Sequence, residues 1–379
     1  MFMLSMRFGA GARIQEDNGF GRMNRIAARM NRMSAGHRRK RHIVSMTDDT
    51  MRAIVITRPG GVEVLEVQRR PVPVPGEREV LVRVRAAGLN RADILQREGR
   101  YPAPPGAPAD VPGMEFAGEV AVLGRGAARW RAGDRVMGIT GGGGYAEQLV
   151  AHEDTLVRVP GRLGWEEAAA IPEAFITSHD ALRQAEFVGG EHVLIHAVGS
   201  GVGLAAVQVV RALGGTGIGT ARHGAKLDVA ASLGLSHGIL VGGDLAVIAS
   251  EVALATGGRG VGVVLDLLGG AYTAASIPAM APRGRLTLIG TLAGPRTDLP
   301  LGPVLRGRLS IRGTVLRSRS LEEKVAATRA FEREVVPLFE SGAVRAVVDS
   351  SFPLEEAGAA QERMTSNQTT GKVVLRVGG

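Results

Sequence analysis

Cysteine is absent from all 379 residues. That excludes disulfides, thiolate nucleophiles and cysteine-ligated metals, and it fits a reducing, cytoplasmic setting. Aromatic residues are scarce at 4%, against a hydrophobic content of 45% carried by Val, Leu and Ala, with abundant Gly besides, as in a soluble α/β protein. No apolar run reaches the ~18 uninterrupted residues of a spanning helix, which speaks against a membrane protein. Lysine is nearly missing as well, with four residues against 42 arginines, the mark of a GC-rich bacterial coding bias.

The net charge of +9 suggests a nucleic-acid partner until its distribution is read. Residues 1–50 hold ten basic and four acidic groups, or +6, and the remaining chain holds 36 and 33, or only +3. A nucleic-acid protein concentrates its charge on a folded face, so that partner is disfavoured. Eight of the twelve methionines lie at or before Met51, and Arg38-Arg39-Lys40-Arg41 forms a basic run without the apolar core of a secretory signal. Residues 1–50 are expected to be a disordered leader or an upstream start assignment, with the working protein beginning near Met46 or Met51.

From Met51 the chain changes character. Strands are expected at 52–56, 64–67, 80–85, 115–123, 135–139 and 146–150, punctuated by Gly and Pro, which reads as a β-barrel domain. From Glu191 strands at 192–196, 216–221, 237–241, 261–267 and 285–290 alternate with helices at 202–213, 224–233, 244–256 and 271–281. Such alternation implies a doubly wound parallel sheet. The tail is expected to give one long helix from Leu321 and a strand at 372–377.

Where the first of those parallel strands meets its helix, the sequence reads HVLIHAVGSGVGLAA. Backbone amides at such a turn, with the positive end of the helix, hold a pyrophosphate. The dinucleotide fingerprint fits only as Gly201-x-Gly203-x-x-Ala206, and a tight structural turn is the competing reading. The end of the second strand separates the cofactors. An NAD site places Asp or Glu about 20 residues past the glycines. Here Thr220-Ala221-Arg222-His223 and then Lys226 stand instead, and Arg222 with Lys226 suits the 2′-phosphate of NADPH. Among possible catalytic groups, Tyr101 in a proline-rich loop points to a pocket, whereas Tyr145 and His196 read as packing residues. Of the eight histidines, His192 and His196 stand four apart, but on an expected strand rather than on the helix where that spacing brings two rings to one metal.

The stretches Ala87–Asp93 (AGLNRAD), Gln96–Tyr101 (QREGRY), Pro112–Gly118 (PGMEFAG), Ala168–Ala174 (AAAIPEA), the glycine turn, Leu316–Arg319 (LRSR) and Asn367–Lys372 (NQTTGK) follow one another in order. In this arrangement the chain resembles the zinc-free quinone oxidoreductases of the medium-chain dehydrogenase/reductase superfamily. The resemblance runs from Met51 to about Val377. It implies a GroES-like β-barrel catalytic domain over 51–171, completed by 316–379, and a Rossmann NADP-binding domain over 172–315. Zinc alcohol dehydrogenases of this superfamily carry Cys at the place of Asn90 and Gly-His-Glu at the place of Gly113-Met114-Glu115. No zinc is therefore expected.

By the same resemblance, Asn90, Asp93 and Tyr101 lie near the nicotinamide and acceptor, and Thr177 reaches the cofactor. Ser200, Gly201 and Val202 contact the pyrophosphate. Thr220, Arg222, His223 and Lys226 surround the 2′-phosphate, and Gly290, Thr291, Leu316, Arg317 and Asn367 close the site. Ser200 replaces a fingerprint glycine, and Val241 stands where several relatives carry a tyrosine against the adenine. The expected activity is NADPH-dependent reduction of quinones or related α,β-unsaturated carbonyls by direct hydride transfer, in a homodimer. Reduction of enoyl thioesters or alkenals is the alternative, as is a non-catalytic NADPH-binding protein of crystallin-like or RNA-binding type.

Overall fold

The computed structural model describes residues 50–378, so residues 1–49 of the expected leader lie outside the described part. Strands β1 (Thr50–Ile56) and β2 (Leu65–Pro71) pair antiparallel; β3 (Glu79–Gly88), β4 (Glu115–Leu123), β5 (Arg135–Ile139), β6 (Gln148–His152) and β7 (Leu156–Arg158) follow, with helix α1 (Arg91–Arg97) after β3. The apolar positions of β3 alternate with arginines, and Val80, Val82 and Val84 point into a core shared with Phe116, Tyr145 and Leu156. Helix α1 has no counterpart in the expected elements. Its start is fixed by Asp93, whose carboxylate accepts the Asn90 backbone N–H at 2.8 Å.

Two helices lead out of this region, α2 (Trp165–Ala169) and α3 (Pro172–Gln184). Proline at the first position of α3 is preorganised for a helix start and loses no hydrogen bond there. Its buried face carries Ala174, Phe175, Ile176, Ala181 and Leu182. These belong to one apolar cluster that also holds Ala117 and Met137 from the first sheet and Val193 and Leu265 from the next. Phe175 meets Phe339 edge to face at 4.7 Å. Truncating such a buried ring to alanine costs about 3–5 kcal/mol.

The third layer follows the expected alternation, with β8 (His192–Ile195), α4 (Gly201–Ala212), β9 (Thr216–Ala221), α5 (Gly224–Ser232), β10 (His237–Leu240), α6 (Val247–Thr256), β11 (Val261–Asp266), α7 (Ala271–Ser276), β12 (Met280–Leu288), α8 (Leu301–Gly307) and β13 (Ser310–Gly313). All six strands are parallel, in the order β10-β9-β8-β11-β12-β13. This is the doubly wound order whose crevice forms beside the first strand.

Other elements depart from expectation as well. The helix expected at 271–281 stops at Ser276, because Pro278 opens a single 3-10 turn, and β12 then starts at Met280. Strand β13 was not expected, since SIRG is short, polar and fully exposed. The long tail helix divides at Val335 into α9 (Leu321–Glu334) and α10 (Val336–Ser341). Pro337 has no N–H to donate, so it sits at the start of a new helix rather than inside the old one. The chain closes with β14 (Val348–Pro353), α11 (Ala357–Thr365) and β15 (Lys372–Arg376), and β15 returns to pair with β3 in the first sheet. Among the described residues no helix is long and apolar enough to cross a membrane.

Candidate active site at the junction of the two sheets

The glycine turn between β8 and α4 forms as the sequence implies, and Ser200 explains its own presence. Its Oγ accepts the Gly203 N–H at 3.1 Å, capping α4. The first-turn amides of Gly201 and Val202 have no acceptor within the helix. A Cβ at Gly203 would stand 2.5 Å from the Ala197 carbonyl oxygen, so glycine there permits the close strand–helix approach. A Cβ at Gly199 would lie 2.7 Å from the Lys226 side chain, whose stem crosses the turn.

The cations expected near a phosphate converge only in part. Lys226 Nζ donates to the Asn367 carbonyl oxygen at 2.7 Å, so these two expected residues meet over the turn. Burial, and then Arg222, holds the Lys226 ammonium below its ordinary pKa, with Arg91 and Arg363 adding to the repulsion and Asp349 opposing it. Cations gathered this closely favour an arriving anion. Arg222 and His223 are exposed at the end of β9. Thr220 instead points inward, 1% exposed, and its hydroxyl hydrogen-bonds His196 Nδ1 at 3.0 Å. His196 also meets Ser276 Oγ at 2.7 Å, and burial pushes its pKa down to about 4, as suits a neutral packing residue. Val241 is 3% exposed within an apolar cluster.

Helix α3 is tied to the same turn, because Ser178 Oγ donates to the Val202 carbonyl oxygen at 2.9 Å. Beside it, the hydroxyl of Thr177 is buried with no hydrogen-bond partner. A buried hydroxyl left unpaired costs about 1–3 kcal/mol unless a ligand satisfies it, so Thr177 fits a residue that meets a cofactor. Gly290 follows β12, where a Cβ would lie 2.7 Å from the Leu267 carbonyl oxygen, and Thr291 is exposed beside it.

The densest polar cluster lies where β15 meets β3 and β4. Lys372 Nζ donates to the Leu89 carbonyl oxygen at 2.5 Å and to Asn90 Oδ1 at 2.7 Å, and stands 2.5 Å from Glu115 Oε1. Asn90 Nδ2 donates to Glu115 Oε1 at 2.9 Å, and the Glu173 N–H donates to Glu115 Oε2 at 2.8 Å. Asn90 is thus committed to Glu115 and Lys372. Asp93 is fully buried and accepts from the Gly113 N–H at 3.1 Å and the Tyr145 hydroxyl at 3.0 Å, besides its helix cap. Burial raises its pKa to about 6, against the lowering effect of those hydrogen bonds and of Lys372 and Arg317. These contacts make Asp93 a brace between α1 and the Gly113 turn.

On the other side, Arg317 donates to the Gly141 carbonyl oxygen at 2.8 Å and to Gln96 Oε1 at 2.5 Å, and its guanidinium lies 5.1 Å from the Tyr101 ring centre. Tyr101 is partly buried, and burial holds its hydroxyl protonated beyond the usual range. Leu316 and Arg317 line a cavity with Thr140, Gly141 and Glu173. Sequence reasoning did not single out Lys372, Glu115 or Glu173 as site residues. The rarity of lysine was an available signal, since only Lys226, Lys324 and Lys372 lie beyond residue 50, and all three border this region.

The chain matches two family models, "Alcohol dehydrogenase GroES-like domain" over residues 76–161 and "Zinc-binding dehydrogenase" over residues 242–375. A quinone oxidoreductase of Pseudomonas aeruginosa is 38% identical over 318 residues, covering 83% of this chain and 96% of the relative. A solved NAD-dependent alcohol dehydrogenase superposes with a TM-score of 0.76 at 33% identity, covering 86% of this chain and all of that one. A mycobacterial protein solved in complex with NADPH gives a TM-score of 0.76 at 30% identity, again over 86% of this chain and 100% of its own.

Proposed function

The chain belongs to the quinone oxidoreductase family of the medium-chain dehydrogenase/reductase superfamily, and from that premise we propose that it uses NADPH, without zinc, to reduce quinones or related α,β-unsaturated carbonyls. The observation that carries this reading is the Lys372 ammonium seated between Glu115 and Asn90. The zinc implied by one of the matching family models would have to share these oxygens with a buried cation, with methionine rather than histidine at position 114 and no cysteine in the chain. That donor set does not suit zinc. Without a metal to stabilise a developing alkoxide, alcohol oxidation loses its Lewis acid. A quinone or enone is electron-poor already and takes a hydride directly, so the protein has mainly to hold two rings in contact and exclude water.

The choice of NADPH is supported by the cations at Arg222 and Lys226 and the lack of an acid at the end of β9. When bound, NADPH supplies the hydride. The Ser200–Val202 turn would hold its pyrophosphate, Thr177 would satisfy its orphaned hydroxyl on the cofactor, and Tyr101 and Leu316 would border the acceptor. Asn90 and Asp93 would act by positioning, through Lys372 and the Gly113 turn. The proposed partner is a second copy of this chain, meeting the open edge of β13. That strand is exposed along its length, next to Leu301 and Leu305, which are 72% and 80% exposed.

The test is NADPH oxidation by the chelator-treated full chain with quinones, alkenals and enoyl thioesters, alongside NADP+ reduction with alcohols. Turnover of quinones or enones, unchanged by chelation, is expected. Loss of activity on chelation, or activity with alcohols alone, overturns the reading. Preference for enoyl thioesters transfers the same site to the alternative substrate class.

A further inference from the structure

Glu173 is the second residue of α3, and its backbone N–H is spent on Glu115. Its carboxyl group hydrogen-bonds to no protein group among the described residues, yet it lines the cavity formed with Thr140, Gly141, Leu316 and Arg317. Thr177, whose buried hydroxyl is unpartnered, lies four residues further along the same helix. Residues four apart share a helix face, separated by about 6 Å of rise. Glu173 therefore lines this cavity about one helical turn from the point where α3 would meet the cofactor.

Charge around it is unbalanced in a useful way. Three carboxyl groups meet here, Asp93 from α1, Glu115 from β4 and Glu173 from α3, facing two cations, Lys372 from β15 and Arg317 from the segment after β13. Lys372 is bound to Glu115, and Arg317 spends its donors on Gly141 and Gln96. Tyr101, on the loop after α1, adds no positive charge, while Glu79 from β3, His152 and Lys324 also line the cavity. Burial, and next the charge of Glu115, raises the Glu173 pKa to about 7, with Lys372 opposing. A carboxylic acid that keeps its proton near neutrality, in a cavity, is equipped for general acid work.

We propose that Glu173 is the proton donor of the reduction, delivering its carboxyl proton to the oxygen of the acceptor. This rests on the hydride-transfer reading above. The hydride from the nicotinamide carries two electrons and one hydrogen to the acceptor. The O–H bond of Glu173 breaks as a new O–H bond forms on the acceptor, giving hydroquinone or enol, oxidised cofactor and a Glu173 carboxylate. Solvent returns the proton through the cavity, so the sum is acceptor, NADPH and one proton in, and reduced acceptor and NADP+ out.

The experiment compares wild type with Glu173→Gln and Glu173→Asp in the full chain. In the ligand-free protein, infrared titration should show a protonated-carboxyl band lost in wild type around pH 7 and missing from Glu173→Gln. With a quinone, Glu173→Gln should lower kcat roughly 100-fold or more, with NADPH affinity by fluorescence unchanged and the wild-type fall in kcat above neutral pH abolished. Glu173→Asp should restore part of kcat and of the pH dependence. An active wild type whose pH profile survives in a folded, NADPH-binding Glu173→Gln overturns the proposal. So does a ligand-free protein in which that band is absent at about pH 6. A wild type inactive on every acceptor defeats the functional reading instead, and the infrared titration still decides whether Glu173 holds the proton.

Discussion

Lys372 Nζ stands 2.5 Å from Glu115 Oε1, joining the first residue of β15, the last strand of the chain, to the first residue of β4. Their side chains are 8% and 0% exposed. Removing one partner of a buried pair strands the other as an uncompensated charge. Lys372→Met should therefore destabilise the protein by about 3 kcal/mol or more. The double variant Lys372→Met/Glu115→Gln should recover part of the loss. Urea unfolding of the three proteins checks this, and equal stability of single and double variants would show that the pair is not coupled.

Arg222 and Lys226 are argued to meet the 2′-phosphate. Arg222→Ala with Lys226→Ala should raise the KM for NADPH by about 10- to 100-fold, the scale of one or two charge-assisted hydrogen bonds. The KM for NADH should hardly move. Equal effects on both cofactors would remove the 2′-phosphate role.

Asp93 has its pKa raised to about 6 by burial. An unfolded aspartate titrates near ~3.9, so between those two values the folded state binds more protons than the unfolded one. Its contribution to stability is present at low pH and is lost as pH rises from about 4 to about 6. Asp93→Asn should flatten the stability–pH curve over that window, while lowering stability overall through loss of the helix cap and of the Gly113 contact. Thermal melts across the window measure both effects.

Tyr101 has the Arg317 guanidinium over its ring, 5.1 Å away. Tyr101→Phe retains that ring and should lower turnover or acceptor affinity only if the hydroxyl meets the acceptor. We expect a several-fold effect, with NADPH binding unaltered. Full activity would mark Tyr101 as a packing partner of Arg317.

The edge strand β13 offers Ile311, 38% exposed, beside Leu301 and Leu305. Ile311→Glu should shift a dimer to monomer in sedimentation at micromolar concentration, since a charge on an open edge opposes strand pairing. A wild-type chain that is already monomeric rules out this interface.

The alternating strands and helices from 192 to 288 were legible in the sequence because local periodicity and glycine punctuation report them directly. The absence of an acid after β9 was equally legible, being a matter of residue type at one strand end. Composition settled that no thiolate could act, since there is no cysteine to supply one. Ser200 could be read as a departure, but only coordinates show that it caps α4 through Gly203. The cluster of Asn90, Glu115, Glu173 and Lys372 spans 282 residues from Asn90 to Lys372 and was not legible as a site. Its members touch because β15 comes back to β3 and α3 starts against β4, and sequence periodicity carries no information on such long-range pairing. The same holds for Thr220 and Asp93, whose residue types suit a ligand but whose side chains folding turned toward His196 and Tyr145. Residue identity fixed which chemistry the chain can offer, whereas burial and long-range strand pairing decided which groups keep a proton, a charge or an open face.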